Sequence, residues 1–100
     1  MSLICDFKET VRDPAFREMF LQEGVECLLV GDVEIGKSIL RDYVNATDGL
    51  WELAGLANNS PKSLMRMLGP HGNPQARNLF QIIGCLQRRE GFQLRIQAVR

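Results

Sequence analysis

Few groups of residues in this chain combine chemical type and spacing in a way that could do a job. The richest is Asn58-Asn59-Ser60-Pro61-Lys62-Ser63-Leu64-Met65-Arg66-Met67-Leu68. If a helix opens at Pro61, Lys62, Ser63 and Arg66 share a polar face, and Leu64, Met67 and Leu68 share an apolar one. An arginine on such a face can donate to guanine O6 and N7. A lysine reaches the same edge or a phosphate, and a serine contacts either base or backbone. Shortly downstream, Asn73, Gln75 and Arg77 flank the start of another expected helix. Their side chains, together with helix N–H groups, form a candidate phosphate-binding set. His71 could touch phosphate as well, although an ordinary loop histidine is the simpler reading.

A second group competes with the first. Gly31-Asp32-Val33-Glu34-Ile35-Gly36-Lys37-Ser38 satisfies G-x-x-x-x-G-K-[ST], the phosphate-cradling P-loop. Asp32 and Glu34 inside that loop would repel the phosphates that its amides must hold. The surrounding fold also needs a parallel sheet, and the chain has room for one crossover unit. Gly31 as a helix stop and Asp32 as the cap of the next helix account for the same residues, with Lys37 expected on the exposed side. Nucleotide binding at 31–38 is kept only as an alternative.

Bond-making chemistry finds no constellation. His71 is the only histidine and lies in a Gly/Pro loop, so no Ser-His-Asp or Cys-His arrangement can be assembled. Cys5, Cys27 and Cys85 are odd in number and far apart, which suggests neither a disulfide framework nor a zinc site. The expectation is a protein that is not an enzyme and uses no cofactor or metal.

The elements that must position these residues are mostly helical. Asp13 caps a helix with Pro14 at its first position, running to about Val30, with Phe16, Met19, Phe20, Leu28 and Leu29 as the expected buried stripe and Gly24 as its weak point. The next helix runs from Val33 to about Thr47, with Ile39, Leu40, Tyr43 and Val44 inward. Leu50 to Ala57 and Pro61 to Leu68 are two short helices joined by a tight polar turn. Leu53, Ala54 and Ala57 form the apolar face of the first, and Trp51 is expected against the core with one edge exposed. Ser60 is a good N-cap, and Pro61 suits the first helical position, where its missing N–H costs nothing. Gly69 to Pro74 is loop. Gln75 to Arg89 is amphipathic, with Ala76, Leu79, Ile82, Ile83 and Leu86 on one side, and Gly91 ends it. From Phe92 the period changes to two, predicting a strand over 92–99. Its possible partners are Leu3-Ile4-Cys5, the same strand of a second copy, or another protein.

The pair of short helices resembles the helix-turn-helix of the Xre/Cro-type regulators, and within them the HigA-like antidote (antitoxin) proteins of bacterial addiction modules. The likeness extends to Gly72-Asn73-Pro74 with Ala76, Leu79, Phe80, Ile83 and Leu86, and upstream to Asp13-Pro14-Ala15-Phe16-Arg17 and Gly31–Lys37. It spans about residues 13 to 90. Asn58 stands where many relatives carry Gly, and Leu50 where the first motif helix often opens with Gln. The resemblance implies a lambda-repressor-like domain of about five helices plus the C-terminal strand. It also implies an autorepressor that neutralises a small RelE/HigB-like ribonuclease toxin. A regulator without a toxin, of prophage type, is the alternative. One short reading helix makes few contacts, so specificity calls for a homodimer on two half-sites of duplex DNA.

Size and charge fit that picture. One hundred residues make a single domain. No apolar run approaches the length of a membrane span, and a cytoplasmic location is the default expectation. The formal net charge is zero but it is segregated. Residues 1–48 carry five Lys/Arg against ten Asp/Glu, and residues 49–100 carry seven against two. The expected layout is an acidic helical pair over 13–48, a basic DNA-binding core over 49–90 and the strand over 92–99. The acidic part suits a basic toxin.

Overall fold

The structure, a computed structural model, describes residues 12–47, residue 55 and residues 60–100. Four helices lie among them: α1 (Pro14–Leu29), α2 (Val33–Ala46), α3 (Pro61–Met67) and α4 (Ala76–Glu90). The first motif helix, with Trp51 and the turn at Asn58, lies outside the described residues apart from Gly55, which is helical. The N-terminal run Leu3-Ile4-Cys5 lies outside them too.

Local sequence sets the helix ends. The Asp13 carboxylate accepts from the Ala15 amide at 3.0 Å, with Pro14 in the first turn. The turn from α1 to α2 is a Schellman motif. Gly31 adopts φ 90°, its N–H donates to Leu28 O, and the Asp32 N–H donates to Cys27 O at 2.9 Å. Asp32 then caps α2 by accepting from the Ile35 amide. Gly91 closes α4 with φ 78°, its amide bonded to Gln87 O. Both glycines occupy the left-handed region, which side chains with a Cβ avoid.

The core brings the helices together around Leu21 of α1, Leu40, Tyr43 and Val44 of α2, Leu64 and Leu68 at α3, and Leu79, Ile82, Ile83, Cys85 and Leu86 of α4. Burying each large apolar side chain contributes about 1.5–3 kcal/mol before ordering costs. The Cα radius of gyration, 13.2 Å, is that of a compact domain of this length.

The α1 stripe differs from its expected composition. Met19 is 60% exposed and Leu29 55%, while Leu21 and Gly24 are buried. Gly24 is the contact rather than the weak point. A Cβ there would lie 2.9 Å from Ile39 Cγ2, and a Cβ on Gly36 would lie 2.6 Å from Leu28 Cδ2 and 3.1 Å from Gly24 O. At Gly24 and Gly36 the two helices approach closely, and Ile39 and Leu28 of the facing helix fill the space a Cβ would need. With Leu21 and Gly24 on the buried side of α1, Met19 and Leu29 lie outside.

Polar ties hold the helices in register. Arg17 of α1 pairs with Glu90 of α4 at 2.9 Å. The Tyr43 hydroxyl is buried beside Glu90 without a hydrogen bond of good geometry, and burial, then Glu90, pushes its pKa up. Burial works against ionisation of Glu90, but the Tyr43 hydroxyl and the Arg17 and Arg89 cations outweigh it and hold the carboxyl below its usual range. Arg89 donates to Thr47 O at 2.9 Å and to Thr47 Oγ1 at 3.0 Å. It thereby caps the carbonyl end of α2, where the helix dipole favours a cation.

The expected strand over 92–99 does not form: residues 92–100 carry no regular secondary structure. A strand needs a ladder partner, and among the described residues this segment has none. Phe92 and Leu94 pack on the core instead, and the Leu94 N–H donates to Gln87 Oε1 at 2.7 Å. Beyond them Ile96 is 79% exposed and Val99 89%. No helix of the described residues is long and apolar enough to cross a membrane.

Candidate nucleic-acid interface

The candidate reading helix is built as its local sequence requires. Ser60 has extended backbone, and its Oγ accepts from the Ser63 amide at 3.1 Å. Pro61 occupies the first turn. Leu64 and Leu68 face the core, and Met67 packs on it partly buried. Lys62, Ser63 and Arg66 are exposed, and Pro61 is half-buried. The rotation of α3 is thus fixed by its leucines, and its polar face is left to solvent. Arg66 in the last turn also lies at the end where a cation is favoured.

The loop that follows is tightly made. The Gly69 amide donates to Arg66 O at 3.2 Å and the Gly72 amide to Gly69 O at 3.0 Å. A Cβ on Gly72 would overlap the carbonyl oxygens of Arg66 and Met67. Only glycine allows the chain to double back against α3 there. Asn73, Gln75 and Arg77 emerge exposed beyond it, and His71 is exposed within the loop. Gln75 precedes the first turn of α4 and makes no capping bond with its side chain, so first-turn amides are not used in that way.

Lys37 corrects the expectation of an exposed side chain. It is 2% exposed, and its Nζ donates to Gly72 O at 2.6 Å and to Gly69 O at 3.3 Å, with Glu34 Oε1 at 3.2 Å. The stripe formed by Leu40, Tyr43 and Val44, continued back one turn, lands on Gly36 and Lys37, so helical period was the available signal. The same geometry bears on the P-loop pattern. Residues 27–29 close a helix instead of forming a strand, and 33–38 are already helical. The lysine of that pattern is engaged by main-chain oxygens. Sequence reasoning also missed Arg89, Glu90 and Arg17 as a connected set, because nothing local ties residue 17 to residue 90.

Burial sharpens the charge segregation. Over residues 13–47, Asp13, Glu18, Glu23, Glu26, Asp32, Glu34 and Asp42 are exposed. Of the three cations there, Lys37 is buried and Arg17 is bonded to Glu90, so Arg41 alone is an exposed cation. The α1–α2 hairpin therefore presents a more acidic surface than its composition suggests. Around α3 and the start of α4, Lys62, Arg66 and Arg77 are exposed with no exposed Asp or Glu among residues 60–89. Among the described residues no group of three or more His, Cys, Asp or Glu could hold a metal ion. Compared with known protein families, with curated proteins and with solved structures, the chain finds no match in any of the three.

Proposed function

We propose that this chain is a DNA-binding antidote protein. It binds an operator in its own promoter as a homodimer, with Pro61–Leu68 in the major groove, and neutralises a basic, RNA-cleaving toxin through its acidic hairpin. The observation that carries the reading is the orientation of α3. A capped helix buries Leu64 and Leu68 and leaves Lys62, Ser63 and Arg66 in solvent, within a stretch (60–89) that carries no Asp or Glu. Base-edge donors on a helix of fixed rotation are what major-groove reading requires. Asn73, Gln75 and Arg77 are the phosphate anchors in this reading. The toxin half rests on resemblance and on charge sign.

The test is fluorescence anisotropy on the DNA just upstream of the gene, in a salt series, against scrambled DNA. The expected preference is roughly a thousandfold or more, with a steep salt slope, by a species that sediments as a dimer. The double variant Lys62→Ala, Arg66→Ala should lose at least about tenfold in operator affinity, keep its melting temperature and keep any binding to the neighbouring toxin. Equal weak binding to both DNAs overturns operator recognition. Loss of toxin binding in the double variant overturns the use of two separate surfaces.

A further inference from the structure

We infer that Lys37 is a positioning residue for contacts to the DNA backbone. It holds the Gly69–Gly72 loop at the setting from which Asn73, Gln75 and Arg77 reach phosphates while α3 lies in the groove. The inference rests on the DNA-binding reading above.

A buried ammonium is tolerated only when its donors are satisfied. Lysine has three, and three oxygens meet them: Gly72 O at 2.6 Å, Gly69 O at 3.3 Å and Glu34 Oε1 at 3.2 Å. The first is a short, charge-assisted bond. Two of the three oxygens are main-chain, 35 and 32 residues away in sequence. Lys37 therefore fixes the path of a backbone and not the pose of a side chain. The loop is also held from the other side, because Gly72 lies against the Arg66 and Met67 carbonyls at the end of α3. It is wedged between an ammonium of α2 and the last turn of the candidate reader. Asn73 is the next residue, and α4 opens three residues later. A site that only needed filling would be served as well by an apolar side chain of similar length. The ammonium adds a fixed location for two carbonyls, and so a fixed offset between the base-reading helix and the phosphate-binding groups.

The experiment uses the full chain and the Lys37→Met variant, which keeps the length and removes the donors. Binding to the upstream duplex and to its single-base variants is measured over a salt series, at a temperature where circular dichroism shows both proteins folded. Affinity should fall about tenfold, and the slope of log affinity against log salt should shrink by about one to two as phosphate contacts are lost. Preference between the operator and its single-base variants, read by α3, should hold within about twofold. A merely destabilised protein would show a smaller active fraction with the slope intact. An unchanged slope, or preference lost together with affinity, overturns the role. If Lys37→Met does not fold, the wild-type ammonium reports instead. Its ¹⁵N–¹H signal should be slow to exchange with water in the free protein and on DNA, and disappearance of that signal on DNA overturns the role. Wild-type protein with no sequence preference sinks the DNA reading and this role with it. The ammonium signal in the free protein then still shows separately whether the clamp exists.

Discussion

The two seams that α2 makes with the rest of the molecule are built on opposite plans. Against α1 the contact is subtraction: Gly24 and Gly36 lack side chains, and Ile39 and Leu28 of the facing helix occupy the space. Against α3, its loop and α4 the contact is addition. Leucines of these elements share one buried cluster, Lys37 reaches out of α2 to two loop carbonyls, and Arg89 reaches from α4 to the end of α2. The first seam tolerates no added volume. The second tolerates exchange of apolar volume but depends on two cations meeting main-chain oxygens. The difference separates what makes the hairpin a unit from what sets the candidate DNA-binding half against it.

The largest effect should come from breaking the first seam. Gly36→Val places atoms where Leu28 and the Gly24 carbonyl already lie, and should destabilise by about 3 kcal/mol in urea unfolding. Ser38→Val introduces the same side chain at an exposed position of the same helix and should stay within about 0.5 kcal/mol. Near-equal costs would mean that the glycines do not define the crossing. The second seam gives a smaller effect. Arg89→Met keeps most of the packing but leaves the end of α2 uncapped, and should cost about 1–2 kcal/mol. If the variant melts like wild type, the leucines alone hold that seam.

The smallest effect is a pH dependence. Glu90 has its folded pKa below the ordinary carboxyl value of about 4.5. Its stabilisation is therefore complete above that value and disappears as pH falls through the lowered folded one. Urea midpoints followed from pH 6 down to pH 3 should decline more for wild type than for Glu90→Gln, by under about 1 kcal/mol, because Arg17 is partly solvated. Parallel curves would remove Glu90 from the ties across the core.

Most helix ends were legible because they are punctuated. Asp13-Pro14, Gly31-Asp32, Ser60-Pro61 and Gly91 each carry a local mechanism that acts without the rest of the fold. The exposed face of α3 was legible for the same reason, since the period of its own apolar residues sets its rotation. What was not legible depends on partners distant in sequence. Helical period places Lys37 on the buried stripe, but the carbonyls it meets there are more than thirty residues away and no local pattern supplies them. The exposure of Met19 and Leu29 goes with the seating of α1 on another helix through Gly24 and Leu28, whereas hydrophobicity alone assigned both of them to the core. The alternation from Phe92 to Val99 was a real pattern, but a ladder is a property of two strands, and period within one segment cannot supply the second.

The bond from the Leu94 amide to Gln87 Oε1 divides the chain's last stretch into two zones that differ in how far a substitution reaches the core. Up to Leu94, a substitution is felt by the core through Phe92 and Leu94. From Arg95 onward the exposed residues lie outside the buried core. A substitution there should have little effect on the fold of the described residues.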